Sequence, residues 1–186
     1  MLHALAKTYR ADPNHQNLTN LLLNKIDQIP TSLVLAQAAI ESAWGTSRFA
    51  QKGNNLFGEW CFSQGCGIVP LHRAKGSHHE VKAFASIADS VRSYMLNLNS
   101  HPAYQAFRNK RLKQQSAAQL SGCYLASGLI NYSEKKERYI ESIKQLIRIN
   151  KLEATNTPHC KPKPPAITPT ISTENTVNLT ATLPQT

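Results

Sequence analysis

No stretch of the 186-residue chain approaches the roughly 18–20 uninterrupted apolar residues that a membrane-spanning helix needs, which sets stable membrane insertion aside. Met1–Arg10 lacks both a long apolar run and a small-residue cleavage site, and no signal peptide is visible in it. The protein therefore either stays inside the cell or begins downstream of an export signal. Acidic residues are few: 11 Asp and Glu face 21 Lys and Arg, a formal charge of +10. A basic surface suits an anionic partner such as nucleic acid, acidic lipid or an acidic wall polymer. Nucleic acid is set aside, because paired-cysteine fingers and RNA-binding aromatic signatures are both missing. The basic residues are scattered. Only Arg108–Lys113 is a dense run, and it reads as a solvated face.

Cysteine is also sparse. Of the four, Cys61 and Cys66 lie close together in Trp60-Cys-Phe-Ser-Gln-Gly-Cys-Gly67, a spacing that suits a disulfide across a tight loop or two free thiols. A zinc site would need further ligands at suitable spacing, and the adjacent His78 and His79 cannot readily face one metal together. No metal and no cofactor is expected.

Aromatic residues vanish after Ala154, where Pro158, Pro162, Pro164, Pro165, Pro169 and Pro184 interrupt any periodic structure. Such a segment buries too little apolar surface to offset its ordering entropy, so residues 153–186 read as a disordered Pro/Thr-rich tail. The folded domain is then 1–152. Within it, apolar residues at helical spacing predict helices over Asn17–Gln28 and Leu33–Trp44, with Thr31 or Ser32 as cap, and a short piece over Ser47–Gln51. Glu59–Phe62, Gly67–Leu71 and Glu80–Phe84 are short β-favouring runs between Gly-containing stretches and predict a small antiparallel unit. Helices resume along the stripe Ala88, Val91, Tyr94, Met95 and Leu98, then over Gln105–Gln114, Ala117–Ala126 and Ser133–Asn150, with Pro102 at a helix start. The expected fold is mainly α, a helical bundle with one small β lobe flanking a groove.

Because acids are scarce, Glu41 stands out. It sits near the end of an apolar helix in Ala38-Ala-Ile-Glu-Ser-Ala-Trp-Gly45. Poor hydration and the negative end of the helix dipole both raise the pKa of such a carboxyl, as a general acid near neutral pH requires. The plain alternative is a capping or salt-bridged glutamate.

Leu35-Ala-Gln-Ala-Ala-Ile-Glu-Ser-Ala-Trp-Gly45, then Ser47-Arg-Phe-Ala50 and Asn54-Asn-Leu-Phe-Gly58, together resemble the signature of the glucosaminidase family, glycoside hydrolase family 73. That family includes flagellar rod-associated and autolysin N-acetylglucosaminidases. The continuation Glu59-Trp-Cys-Phe…Gly-Cys-Gly-Ile-Val-Pro70 resembles its bacterial Bax-like branch. The resemblance spans roughly Ser32–Asn150 and implies a lysozyme-like helical bundle with a β lobe beside the cleft. It implies that Glu41 is the catalytic glutamate and that a second acid comes from the β lobe. Glu80 in His79-Glu-Val-Lys-Ala-Phe84 is the choice for that role, with Glu59 as second candidate and a solvent-facing strand residue as the plain reading of Glu80. Tyr132 and Tyr139 resemble the family's late Tyr segment lining the cleft, although the commoner Tyr-Ala-Thr-Asp-Pro form is absent; a core role for Tyr139 is the alternative. Asn55 and Phe57 complete the substrate-binding set, with Phe57 and Trp44 expected to support the site more than to touch sugar.

What the resemblance implies is an endo-β-N-acetylglucosaminidase acting on peptidoglycan glycan strands, as a monomer, in the periplasm or cell envelope. A muramidase, a lytic transglycosylase or a non-catalytic wall-binding module are the competing readings. The carboxylates of a wall polymer would also account for the basic surface.

Overall fold

The computed structural model describes residues 1–114, 120–153 and 160. Eight α-helices and a three-stranded sheet are present among them: α1 (Leu2–Thr8), α2 (Leu18–Lys25), α3 (Thr31–Glu41), α4 (Arg48–Gly53), β1 (Trp60–Cys61), β2 (Gly67–Ile68), β3 (Glu80–Lys82), α5 (Ile87–Ser100), α6 (Gln105–Lys113), α7 (Gly122–Ala126) and α8 (Glu137–Ile149). The fold is mainly α with a small antiparallel lobe, as expected. Helix α1 was not expected, and residues 117–119 of the helix expected over Ala117–Ala126 lie outside the described residues.

The core lies between α3, α5, α6, α7 and α8. Leu33 and Ala36 of α3 meet Leu98, Phe107, Leu125 and the α8 stripe Tyr139, Ile140, Ile143 and Ile147, all buried. Helix α3 ends at Glu41, three residues before the expected end at Trp44. Ala43, Trp44 and Gly45 all take positive φ, and the Ser42 hydroxyl fixes the turn by donating to Ala38 O and accepting from Gly45 N–H. That left-handed run stops the helix, so Glu41 is its last residue. Pro30, without a side-chain cap, precedes α3 in place of the expected Thr31 or Ser32 cap.

In the lobe, β3 is central: Trp60 pairs with Val81 and Ile68 also pairs with Val81, both antiparallel. Side-chain hydrogen bonds help attach the lobe to the helices. Asn54 donates to Phe84 O, and Arg48 of α4 donates to Val69 O. Cys61 and Cys66 form a disulfide across the β1–β2 connection.

Three features depart from the sequence reading. A second disulfide joins Cys123 of α7 to Cys160, which is buried and whose carbonyl accepts from Arg148. Glu153 also packs inward, accepting from the Ser32 and Ser121 hydroxyls and from the Gly122 and Cys123 amides. Glu153 and Cys160, both in the expected tail, are thus held against the helices. The other residues of the expected tail, 154–159 and 161–186, lie outside the described residues. Thirdly, the Arg108–Lys113 run is not one solvated face. Arg108 and Arg111 are 1% and 0% exposed, because helical spacing turns both toward the core, where they donate to the carbonyls of Leu98, His101, Gln28 and Asn24.

Candidate active site

The local sequence dictates where Glu41 sits. Gln37 is one turn earlier on the same face of α3, a buried polar side chain in an otherwise apolar helix. A buried amide needs partners for both ends. It finds them in two tyrosines from other helices: the Tyr94 hydroxyl donates to Gln37 Oε1 at 2.6 Å, and Gln37 Nε2 donates to Tyr139 Oη at 2.9 Å. The Tyr139 proton then goes to the Glu41 carboxylate. Tyr94–Gln37–Tyr139–Glu41 is thus one directed chain joining α5, α3 and α8.

Glu41 is half-buried. Burial raises its pKa above the ordinary carboxylate range, while the Tyr139 donor and the Lys135 charge pull it part of the way back. Burial and the neighbouring Glu41 charge hold the Tyr139 phenol protonated far above its usual range, so it remains a donor. Tyr132 stacks on Tyr139 with ring centroids 5.5 Å apart, and Tyr104 lies 5.8 Å from Tyr132. An aromatic floor thus leads away from Glu41.

The mouth above Glu41 is formed by the turn that enters the β lobe. Asn55, 1% exposed, organises this turn: its oxygen accepts from the Phe57 and Glu59 amides, and its amide donates to the Glu59 and Lys82 carbonyls. Phe57 is buried and stacks on Tyr94 at 4.0 Å. Gly58 has φ +66°, and a Cβ there would lie 3.9 Å from Glu41 Oε2. A side chain at 58 would therefore be strained by its backbone and would touch the carboxylate. Asn55 and Phe57, both named in the expected substrate-binding set, are taken up in holding the turn, the supporting place expected of Phe57. Trp44 is exposed and lines a separate apolar groove of about 330 Å³ with Leu35, Ala38 and Leu146.

Glu80 was the expected second carboxylate. Its two oxygens accept from the Gly65 and Gly67 amides at 3.0 and 2.8 Å, and these bonds hold its pKa below the ordinary range. It fastens the disulfide-tied loop from beneath, and its placement does not match the expectation of a free second acid. Glu59, directly after Gly58, has the contrasting environment. Burial raises its pKa against the opposing Ser93 hydroxyl and Lys82 charge; Oε2 accepts from Ser93 at 2.6 Å, and Oε1 is buried without a partner. Glu41 and Glu59 both act electrostatically on Tyr104, whose hydroxyl also bonds Asn97. Trp60, next to Glu59, stacks on His79 at 4.1 Å and leaves much of its ring exposed. The sequence reading missed Gln37, Tyr94 and Tyr104. For Gln37 a signal existed, namely a lone amide four positions before the lone acid of an apolar helix.

Two carboxyls of raised pKa, one beside Gly58 with a phenol donor and one next to Gly58 in sequence with an unpartnered oxygen, are suited to general acid and base chemistry. A family model described as mannosyl-glycoprotein endo-beta-N-acetylglucosaminidase matches residues 19–152. Protein bax of Escherichia coli K12 is 41% identical over 121 residues, covering 64% of this chain and 42% of that protein. The peptidoglycan hydrolase FlgJ of Salmonella typhimurium is 27% identical over 130 residues, covering 63% of this chain and 41% of FlgJ. The chain thus spans about two fifths of the length of these curated relatives. No solved structure matches. With the family model matching well over half of its length, the chain belongs to the glucosaminidase family.

Proposed function

We propose that the protein hydrolyses the glycan strands of peptidoglycan as an endo-β-N-acetylglucosaminidase, with Glu41 as the acid that protonates the leaving glycosidic oxygen. The observation that carries this reading is the Glu41 carboxyl itself, half-buried at a helix end, open toward Gly58 and kept company by a phenol that stays protonated. A carboxyl so placed holds its proton to higher pH than a solvated one and releases it to an oxygen in the cleft.

Glu59 is assigned the second role, stabilising the positive charge that develops on the sugar ring or orienting the attacking water. Its unpartnered Oε1 supports this, since a buried acceptor left open is satisfied by a donor that arrives with the substrate. Tyr132 and Tyr139 form the floor against which the sugar lies. Glu80, Asn55 and Phe57 act one layer back, as positioning residues. The two disulfides fit work in the periplasm or elsewhere in the cell envelope, where such bonds persist. Among the described residues no helix is long and apolar enough to cross a membrane. The protein is proposed to act as a monomer.

Mass analysis of the ends released from purified peptidoglycan tests the reading. The expected product carries reducing N-acetylglucosamine, and Glu41→Gln loses about 10²–10⁴-fold in rate, the usual cost of losing a general acid. Reducing N-acetylmuramic acid would mean a muramidase, an anhydro end a lytic transglycosylase, and no new ends a wall-binding module.

A further inference from the structure

Glu59 also lines a groove of about 440 Å³, together with Arg10, Trp60, Lys82, Asn97 and Ser100. Tyr104 links it to the acid, because its hydroxyl bonds Asn97 while its ring senses the charges of both Glu41 and Glu59. The chemistry of the lining is mixed in a specific way. Trp60 offers an exposed ring face, Glu59 an unpartnered buried oxygen, and Lys82 and Arg10 two cations.

The groove wall is also backed by positive charge. Behind Ser100, the buried Lys25 donates its Nζ to the Ser100 carbonyl at 3.0 Å. Arg108, buried as well, donates to the carbonyls of Leu98 and His101 on either side, and its Nε has no acceptor. Carbonyl oxygens satisfy these donors without neutralising them. Among the described residues, the one carboxylate paired with this group is Asp27, on Arg111 at 3.3 Å. Burial and the repulsion of Arg108 and Arg10 hold the Lys25 pKa down, and burial with Arg10 and Arg108 holds down that of His101. An anion entering here would relieve that repulsion.

Arg10 is the groove cation that belongs to no other arrangement. It is exposed, no carboxylate or carbonyl pairs with its guanidinium among the described residues, and it takes φ 50°. The Ala11 amide bonds back to Ala6 O, a helix C-terminal closure in which glycine is the favoured residue. An arginine there bears a backbone cost that its side chain must offset. Lys82, by contrast, already donates to Ser93 and lies over Phe84.

We propose that this groove is a subsite for a carboxylate-bearing unit of the glycan substrate, with Arg10 as the residue that recognises the carboxylate. The inference rests on the glycan-hydrolase reading and adds to it a side of the cleft, contributed by α1, that selects acidic strands over neutral ones. In peptidoglycan the carboxylate has two sources, the stem peptide or a free lactyl group, and the groove chemistry is the same for both.

The test compares wild type, Arg10→Gln and Arg10→Lys on intact peptidoglycan strands, on amidase-stripped strands that keep only the lactyl carboxylate, and on neutral chitooligosaccharides. Arg10→Gln is expected to raise KM about tenfold on at least one muramoyl substrate with kcat within twofold, and to leave the chitooligosaccharide KM within twofold. Arg10→Lys should recover most of the loss. A rise confined to intact strands assigns the contact to the stem peptide; a rise on stripped strands assigns it to the lactyl group. Equal KM changes on neutral and acidic substrates, or none on any, overturn the proposal. Calorimetric binding of N-acetylmuramoyl dipeptide to the Glu41→Gln protein, with and without Arg10→Gln, needs no turnover. If wild type cuts nothing, the hydrolase reading fails, while a tenfold loss on removing Arg10 in binding of the dipeptide, or of free N-acetylmuramic acid with its lactyl carboxylate, still upholds the subsite and an unchanged affinity for both overturns it.

Discussion

Tyr139 stands between Gln37 and Glu41, accepting from the Gln37 amide at 2.9 Å and donating its hydroxyl hydrogen bond to the Glu41 carboxylate. That hydrogen bond favours the charged form of Glu41 and so opposes the burial that raises its pKa. Tyr139→Phe removes the opposition. The Glu41 pKa is expected to climb further, moving the high-pH limb of kcat/KM, where the acid loses its proton, to higher pH. The Gln37 amide loses an acceptor in a buried place, at a cost of about 1–3 kcal/mol in stability. A pH–rate profile and a denaturation curve check both halves. A limb that stays put or moves down separates Tyr139 from the acid.

The raised pKa of Glu41 also has a sign in stability. In the folded protein the carboxyl keeps its proton at pH values where the unfolded chain has already released it. Its contribution is therefore full below the unfolded pKa and is lost as pH rises through the folded one. Glu41→Gln cannot ionise, so the variant should melt higher than wild type at about pH 8, on the order of a few degrees, and with little difference near pH 4. Melting curves at the two pH values decide it. A difference of equal size at both would mean that the glutamine changes packing and not ionisation.

Much of this arrangement was legible in the sequence. The helix order, the β lobe between α4 and α5, and the exceptional setting of Glu41 all follow from periodicity and from the scarcity of acids. What escaped were choices that one strand or one helix cannot make alone. Glu59 and Glu80 are both acids of the β lobe, and strand alternation does not say which one meets a cleft and which one meets a loop. Glu80 accepts from the glycine amides of the β1–β2 connection, pairings that exist only once the hairpin closes. Arg108 and Arg111 look like solvated charge because their partners are backbone carbonyls more than 80 positions away in the case of Arg111. Cys160 lies in a Pro/Thr-rich context that hides its partner 37 positions earlier.

The division of labour between the two lobe acids is directly testable. Glu59→Gln is expected to lower kcat by about 10²-fold, as loss of a group at the reacting centre does. Glu80→Gln should retain more than about a tenth of the rate. Its main effect is on the loop, where the carboxylate's depressed pKa adds stability above the unfolded pKa that disappears as pH falls through the folded value. The acid limb of the stability profile should accordingly flatten in Glu80→Gln. If Glu80→Gln loses rate as fully as Glu59→Gln while the loop disulfide still forms, the second role belongs to Glu80.

The second disulfide ties Cys160, in the expected tail, to α7. Cys123 is fully buried at the start of α7, and the Glu153 carboxylate below it bonds the Ser121 hydroxyl and the Gly122 amide. Gly122 has to be glycine for this approach, because a Cβ would meet Ser32 Oγ at 2.5 Å. The Cys123–Cys160 bond closes a 37-residue separation that contains α8, the helix that carries Tyr139. In the chain-entropy account, closing a loop of that length is worth about 4 kcal/mol, as an upper figure. Cys160→Ser should therefore lower the melting temperature by roughly 10 °C, since about 1 kcal/mol corresponds to 2–4 °C at this size. A chain shortened after Cys160 should melt like the full one, because the Pro/Thr composition beyond it offers little apolar surface to bury. A chain shortened after Glu153 should behave like Cys160→Ser. Melting the three variants beside the full chain, with and without reductant, separates the contributions. If the chain ending at Glu153 melts with the full-length protein under oxidising conditions, the bond to Cys160 contributes nothing and the domain ends by Glu153.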